Sequence, residues 1–227
     1  MMDPVKVEAG SIYLVDKTLG WTSFDVVRKL RKITGIRKVG HAGTLDPLAT
    51  GLLLVCTGAM TKRIAEYMER EKEYTGTFMM GKSTDSFDLE TEVRDVADCM
   101  HLGERHILQV AESFVGQQLQ IPPAHSAIKV GGKRSYLYAR RGKDPGLSPR
   151  PVSVADFEIT GIDLPEVHFR LICSKGYYVR GLARDFGDKL GVGAYLAALR
   201  RTRIGEFKVS DALSITQLEE KLKIKTP

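Results

Sequence analysis

The 227 residues contain only three cysteines, one tryptophan and no long hydrophobic run. Cys56, Cys99 and Cys173 are odd in number, far apart, and fall in neither C-x-x-C nor Cys/His ligand spacing. That pattern excludes a disulfide framework and a zinc site, and it suits a reducing cytoplasm. The longest strongly apolar stretch, Leu52 to Cys56, is far too short to span a bilayer, and Met1 to Gly10 holds no apolar segment like that of a secretion signal. Neither membrane insertion nor export is expected. There is no internal repeat, no low-complexity tract and no glycine-rich phosphate loop, so solenoids and nucleotide-binding P-loops are set aside.

What is present is an ordinary globular composition, with 43% hydrophobic and 27% charged residues, which excludes wholesale disorder. The length suits one compact domain. The net charge of +6 suggests an anionic partner, and its distribution says more. Val26 to Lys38 carries six basic residues and no acid; Lys129 to Arg150 carries seven against Asp144 alone. Clustered Lys and Arg are what phosphate contacts need, because each such contact releases condensed counterions.

Ser11 to Asp16 reads as a strand, and Thr22-Ser23 caps a helix with apolar positions Phe24, Val27, Leu30 and Ile33, stopped by Gly35. Gly40 to Pro47 reads as a loop leading into a buried strand at Leu52 to Cys56. Tyr74 to Met80 is a further strand, followed by an acidic loop and an amphipathic helix near His106 to Phe114. Gly142 to Pro151 has loop chemistry. Val167, Phe169, Leu171 and Cys173 alternate as in a half-buried strand. A helix with Val179, Leu182, Ala183, Phe186 and Leu190 on its apolar face follows, closed by Gly191, and Ile215 to Lys223 forms a last helix. Strands and helices mix without regular βαβ alternation. The expected fold is α+β, a mixed and largely antiparallel sheet flanked by helices.

Two places could carry chemistry. The stretch Gly40-His41-Ala42-Gly43-Thr44-Leu45-Asp46-Pro47-Leu48-Ala49-Thr50-Gly51 puts an imidazole and a carboxylate on one glycine-rich loop. Taken alone, Asp before Pro is a turn initiator and a lone His is structural. Cys173-Ser174-Lys175-Gly176-Tyr177-Tyr178-Val179-Arg180 puts two aromatics and a guanidinium at a strand-to-helix junction. Tyr can stack on a base and Arg can pair with a carboxylate, although one tyrosine could equally pack in the core.

As a set, these residues resemble the TruB family of tRNA pseudouridine synthases, which modify the uridine of the T-loop. The resemblance runs from about Ile12 to Phe207. Besides the two stretches above it rests on Lys72-Glu73-Tyr74 with Gly81, Pro122-Pro123 with Ser126-Ala127-Ile128-Lys129, Tyr138-Ala139-Arg140, and Leu199-Arg200-Arg201. It implies the pseudouridine synthase fold, with an active-site cleft across the sheet. Many members of the family continue into a C-terminal RNA-binding module; here the sequence stops a short way past Phe207, and the expectation is a single catalytic domain over 1–227 without a separate C-terminal RNA-binding domain. The resemblance implies isomerisation of uridine to pseudouridine at position 55 of the tRNA T-arm, with no cofactor and no metal, by a cytoplasmic monomer without an obligatory protein partner.

Residue by residue, the resemblance makes Asp46 the catalytic carboxylate, Tyr74 the tyrosine against the target base, and Arg180 the partner of the carboxylate. His41 engages the RNA as the nucleotide is everted, Tyr178 lines the site, and Asp88 lies near the target nucleotide. Lys17, Lys129 and Arg140 complete the substrate contacts. Asp46 can act as nucleophile or assist proton removal from the sugar, and the C5 proton can leave to Tyr74 or to water. The chain departs from the family where Thr18 follows Lys17 in place of proline and where His125 stands in place of tyrosine. A binder that refolds tRNA without catalysis, or a metal-dependent hydrolase using His41, Asp46, Asp85 and Asp88, are the readings from other classes.

Overall fold

The computed structural model describes residues 10–126 and 128–223. The reading of the first nine residues and Ala127 in the Ser126 to Lys129 motif lie outside them. In chain order the elements begin with β1 (Ile12–Lys17), α1 (Ser23–Thr34), β2 (Val39–His41), β3 (Ala49–Thr57), α2 (Ile64–Glu69) and β4 (Lys72–Met80). There follow β5 (Lys82–Ser83), β6 (Arg94–Asp95), α3 (Glu104–Glu112), β7 (Gly116–Gln120), β8 (Lys129–Val130), β9 (Lys133–Arg134) and α4 (Tyr136–Ala139). The last are β10 (Arg150–Asp163), β11 (Glu166–Cys173), α5 (Val179–Lys189), β12 (Ala194–Ile204), β13 (Phe207–Lys208) and α6 (Ile215–Lys223). The chain divides into two compact units, one of residues up to 74 and from 199 onward, the other of 75–198.

In the first unit β3 pairs antiparallel with β1, with Leu54 opposite Leu14, and parallel with β12, with Arg201 opposite Gly51. β2 pairs with β3 and β13 with β12, both antiparallel. β3 is buried on both faces, which is why Leu52 to Cys56 reads as an unbroken apolar run. Leu53 and Val55 pack with Val26, Val27 and Leu30 of α1 and Leu218 of α6; Leu52, Leu54 and Cys56 pack with Ala42, Tyr67 and Ile204. Each such leucine is worth about 1.5–3 kcal/mol in removal of apolar surface from water.

α1 starts with a reciprocal capping box: Thr22 accepts from the Asp25 N–H while the Asp25 carboxylate accepts from the Thr22 N–H. Gly35 ends it in the left-handed region at φ 69°. One sequence expectation fails here. A three-residue spacing drifts around a helix of 3.6 residues per turn, so Val26 joins Val27 and Leu30 inside while Phe24 is left 58% exposed, with the Arg31 guanidinium over its ring.

In the second unit the strand order is β4-β11-β10-β7, and β10 pairs antiparallel with both β11 and β7. Its core is aromatic. Phe78 of β4 stacks on Phe169 of β11 at 4.3 Å between centroids, and Phe157 of β10, Phe186 of α5 and Phe114 close around them edge-on or tilted. The expected loop from Gly142 to Pro151 ends sooner than its prolines suggested, because β10 begins at Arg150. Pro151 is tolerated because β11 joins β10 only from Val154, leaving that end of the strand paired on one side. α3 spans two residues earlier than its periodicity indicated. The whole is α+β with mixed, largely antiparallel pairing, as expected from the sequence.

Candidate active site

In the first unit the segment bearing Asp46 follows directly on β2. His41 is the last residue of that strand, opposite Val55, so the expected loop starts two residues later, at Ala42. The Ala42 N–H still donates to the Leu54 carbonyl at 2.9 Å. Gly43 then turns the chain at φ 91°, a conformation that favours glycine. The next residues are fixed one by one. Ser23, released from capping because Thr22 does that work, accepts from the Leu45 N–H at 2.8 Å and donates to the Leu45 carbonyl at 3.0 Å. The Ala49 N–H closes a turn on the Asp46 carbonyl at 3.0 Å, and the Gly20 N–H donates to the Pro47 carbonyl at 2.9 Å.

Two buried cations complete the clamp. Arg201 of β12, only 1% exposed, donates from Nε to the Leu52 carbonyl at 2.7 Å and from Nη2 to that of Gly43 at 3.1 Å, with Nη1 at 3.5 Å from that of Thr44. Lys17 of β1 has no exposed surface, and its Nζ donates to the carbonyls of Trp21 at 2.7 Å, Thr18 at 3.0 Å and Pro47 at 3.4 Å. Lys17 was expected among the substrate contacts; its ammonium is instead taken up by the protein's own backbone. Burial pushes the Lys17 pKa down to about 8, while the negative charge of Asp46 pulls it back up. Desolvation, with the charge of Arg201 adding to it, lowers the His41 pKa and keeps its imidazole neutral at pH 7. The result is a half-buried Asp46 whose backbone is fixed on both sides, with two cations in the surrounding wall. A carboxylate required to react in its ionised form needs such a setting.

Tyr74, also in the first unit, is a buried residue of β4. Its neighbour Lys72 turns its buried ammonium to the carbonyls of Met68 and Arg70, and Glu73 on the alternate face accepts from Thr202 at 2.8 Å. These contacts set the register of the strand that presents the tyrosine.

The second unit brings Asp88, Tyr178 and Arg180 together. Arg180, in the first turn of α5 and 5% exposed, donates to the carbonyls of Ser86 at 3.1 Å and His125 at 2.9 Å; its Nε is 3.5 Å from Asp88 Oδ2. The other Asp88 oxygen accepts from the Glu90 N–H at 2.9 Å. Tyr178 precedes the helix with its backbone held twice by Gln120, whose Oε1 accepts from the Tyr178 N–H at 2.9 Å and whose Nε2 donates to the Tyr178 carbonyl at 3.0 Å. Of the paired tyrosines, Tyr177 is the one that packs in the core, where burial pushes its phenol pKa up; Tyr178 is half-buried.

Lys129 lies exposed on the β8–β9 hairpin and Arg140 just after α4, where it stacks on Tyr136 and reaches Glu90 at 3.3 Å. Ser23, Gln120 and the role of Arg201 were not anticipated. Arg201 had a signal in the Leu199-Arg200-Arg201 motif; Gln120 had none, since its partner is 58 residues away. Among the described residues no three His, Cys, Asp or Glu side chains gather as metal ligands would, and no helix is long and apolar enough to cross a membrane.

Comparison with known proteins places the chain in a family. Residues 31–179 match the TruB family pseudouridylate synthase (N terminal domain), and residues 180–226 match the tRNA pseudouridylate synthase B C-terminal domain. The chain is 47% identical to tRNA pseudouridine synthase B of Flavobacterium johnsoniae, over 97% of its own length and 100% of the relative's. With the protein of the same name from Chloroherpeton thalassium it shares 51% identity, over 94% and 90%. Among solved structures it is similar to a chain in the crystal structure of a Cbf5-Nop10-Gar1 complex, with a TM-score of 0.74 and 30% identity over 94% of its length, and it spans about half (54%) of that chain. On the family match over most of its length and on these full-length relatives, the chain belongs to the TruB family of pseudouridylate synthases.

Proposed function

We propose that this enzyme converts uridine to pseudouridine at position 55 in the T-loop of tRNA, with Asp46 as the catalytic carboxylate. The observation that carries the reading is the immobilised Asp46 segment. Its backbone is fixed at Gly43, Thr44, Leu45, Pro47 and Ala49, while its charge faces the field of Lys17. The relatives' name, tRNA pseudouridine synthase B, supports tRNA as the substrate class.

The reaction breaks the N1–C1′ bond of uridine, turns the uracil, joins C5 to C1′ and releases the C5 proton. Asp46 serves as an ionised carboxylate, either attacking the nucleotide or assisting deprotonation of the sugar. The resemblance sets Arg180 against that carboxylate and Tyr74 against the target base. Stacking on a tyrosine is worth about 1–3 kcal/mol, the size of an eversion cost of a few kcal/mol. His41, held neutral, presents a compact polar ring to the RNA without adding charge. Lys129 and Arg140, with the basic helix face at Arg28, Lys29 and Lys32, would grip phosphates around a folded loop, so shape more than linear sequence sets recognition. The enzyme would act as a cytoplasmic monomer and without a cofactor.

The test is to incubate the enzyme with unmodified tRNA transcript, label pseudouridine with carbodiimide, and map it by reverse transcription. One stop, at position 55, is the expected result. Modification at a different uridine, or none, would overturn the assignment.

A further inference from the structure

Phe87 is the one described residue other than glycine with a positive φ, 60°. A bulky side chain rarely adopts that conformation; glycine or asparagine would adopt it at lower cost. The backbone around it is over-determined. The Phe87 N–H donates to the Thr84 carbonyl at 3.2 Å, and the Phe87 carbonyl accepts from the Leu196 N–H at 3.0 Å. The hydroxyls of Thr84 and Ser86 both donate to the Asp88 carbonyl, at 2.7 and 3.1 Å. This network dictates the left-handed turn, and nothing in it calls for an aromatic ring. Nor does the ring serve the aromatic core, since the core pairs join Phe78, Phe114, Phe157, Phe169 and Phe186. It is half-buried, with the Arg184 guanidinium 5.3 Å from its centroid.

The position of the ring is informative. Its neighbours in sequence, Ser86 and Asp88, are both held by Arg180, while the ring itself meets Arg184, one helical turn further along the same face of α5. Arg184 is fixed in turn by the Ile121 carbonyl at 3.1 Å and Asp185 at 2.7 Å. Leu89, two residues on, is 49% exposed. An anchored ring and an anchored planar cation beside a residue of the proposed active site form the kind of surface on which unpaired nucleobases stack irrespective of identity. Local strain maintained by a rigid surround is a mark of a working position.

We infer that Phe87 and Arg184 form a second base-stacking seat, which takes an unpaired nucleotide of the RNA substrate other than the uridine that is isomerised. The inference rests on the proposed function, in which the reacting uracil lies against Tyr74. The seat adds affinity for RNA whose loop is already opened, and it takes no part in bond making.

The test compares Phe87→Gly, Phe87→Leu and Phe87→Tyr with wild type, reading melting temperature, Kd for unmodified tRNA, and KM and kcat for its modification. Glycine relieves the backbone, so Phe87→Gly is expected to melt no lower than wild type while its Kd and KM rise on the order of tenfold, the scale of one lost base stack. Its kcat should stay within about threefold of wild type. Phe87→Leu keeps bulk but loses the π face and should bind as weakly as the glycine variant; Phe87→Tyr should bind like wild type. Wild-type affinity in Phe87→Leu would make the ring mere filling and overturn the inference. A fall in kcat with unchanged KM would also overturn it, because residue 87 would then act only by placing Ser86 and Asp88 against Arg180. If wild type binds tRNA without modifying it and Phe87→Gly loses that binding, the seat stands and the proposed function fails.

Discussion

Lys17 and Arg201 hold the chain on either side of Asp46: Lys17 binds the carbonyl of Pro47, the next residue, and Arg201 that of Gly43, three residues before. Both are buried charges spent on backbone carbonyls. Burying a cation for this purpose is costly, and the cost is offset only where geometry must be held. The consequences can be tested one by one.

Arg201→Leu removes the donors that serve Leu52, Gly43 and Thr44 and leaves their carbonyls without that partner in a buried setting. Loss of about 3 kcal/mol in stability is expected, with a fall in kcat larger than the rise in KM. Urea denaturation and steady-state kinetics check both. Arg201→Lys should recover little, because an ammonium cannot span three carbonyls with the reach of a guanidinium fork.

The depressed pKa of Lys17 has a definite sign in stability. Its pKa is about 8 in the folded chain against 10.5 when unfolded, so between those values the unfolded state binds more protons. Stability therefore rises with pH across that window through this group, and below pH 8 the desolvation penalty is fully present. The difference in unfolding free energy between wild type and Lys17→Met, followed from pH 7 to 11, isolates the effect. It should grow in favour of wild type between pH 8 and 10.5 and be flat below.

Gly51 of β3 lies beside Arg201 of its parallel neighbour β12. It has φ 99°, and a Cβ there would lie 2.3 Å from the Arg201 carbonyl oxygen and 2.8 Å from its nitrogen. Neither atom can yield without opening the parallel pairing. Gly51→Ala should cost more than about 2 kcal/mol, and it should lower activity by displacing Arg201. Thermal denaturation and kcat, measured together, check this.

Gln120→Leu takes away the side chain that holds both backbone groups of Tyr178. Two hydrogen bonds are lost at the start of α5, worth about 1–3 kcal/mol together. Because Arg180 sits two residues further on, kcat should fall as well. Gln120→Glu keeps an acceptor for the Tyr178 N–H but loses the donor to its carbonyl, and it should lie between Gln120→Leu and wild type in melting temperature.

The elements visible in the sequence are those whose signal is local. Thr22-Ser23 and Gly35 announce α1, Leu52 to Cys56 announce a buried strand, and Val179 to Leu190 show the apolar face of α5. β12 escaped because its second half, Leu199 to Ile204, carries Arg200, Arg201 and Arg203 and does not look like a strand. Those charges are answered by groups far off in sequence: Asp16 for Arg200, the Leu52 carbonyl for Arg201, Glu71 and Glu73 for Arg203. Gln120 was invisible for the same reason. Asp46, His41 and Arg180 were singled out through a motif pattern, and the physical setting of the Asp46 segment, a backbone held by buried cations, appears only in the fold.

The central claim is that Asp46 is the group on which isomerisation depends. Release of tritium from tRNA labelled at uridine C5 should proceed with wild type in EDTA and fall by at least about a thousandfold in Asp46→Asn, with tRNA affinity kept within about threefold. Release by Asp46→Asn at a rate near that of wild type would contradict the account.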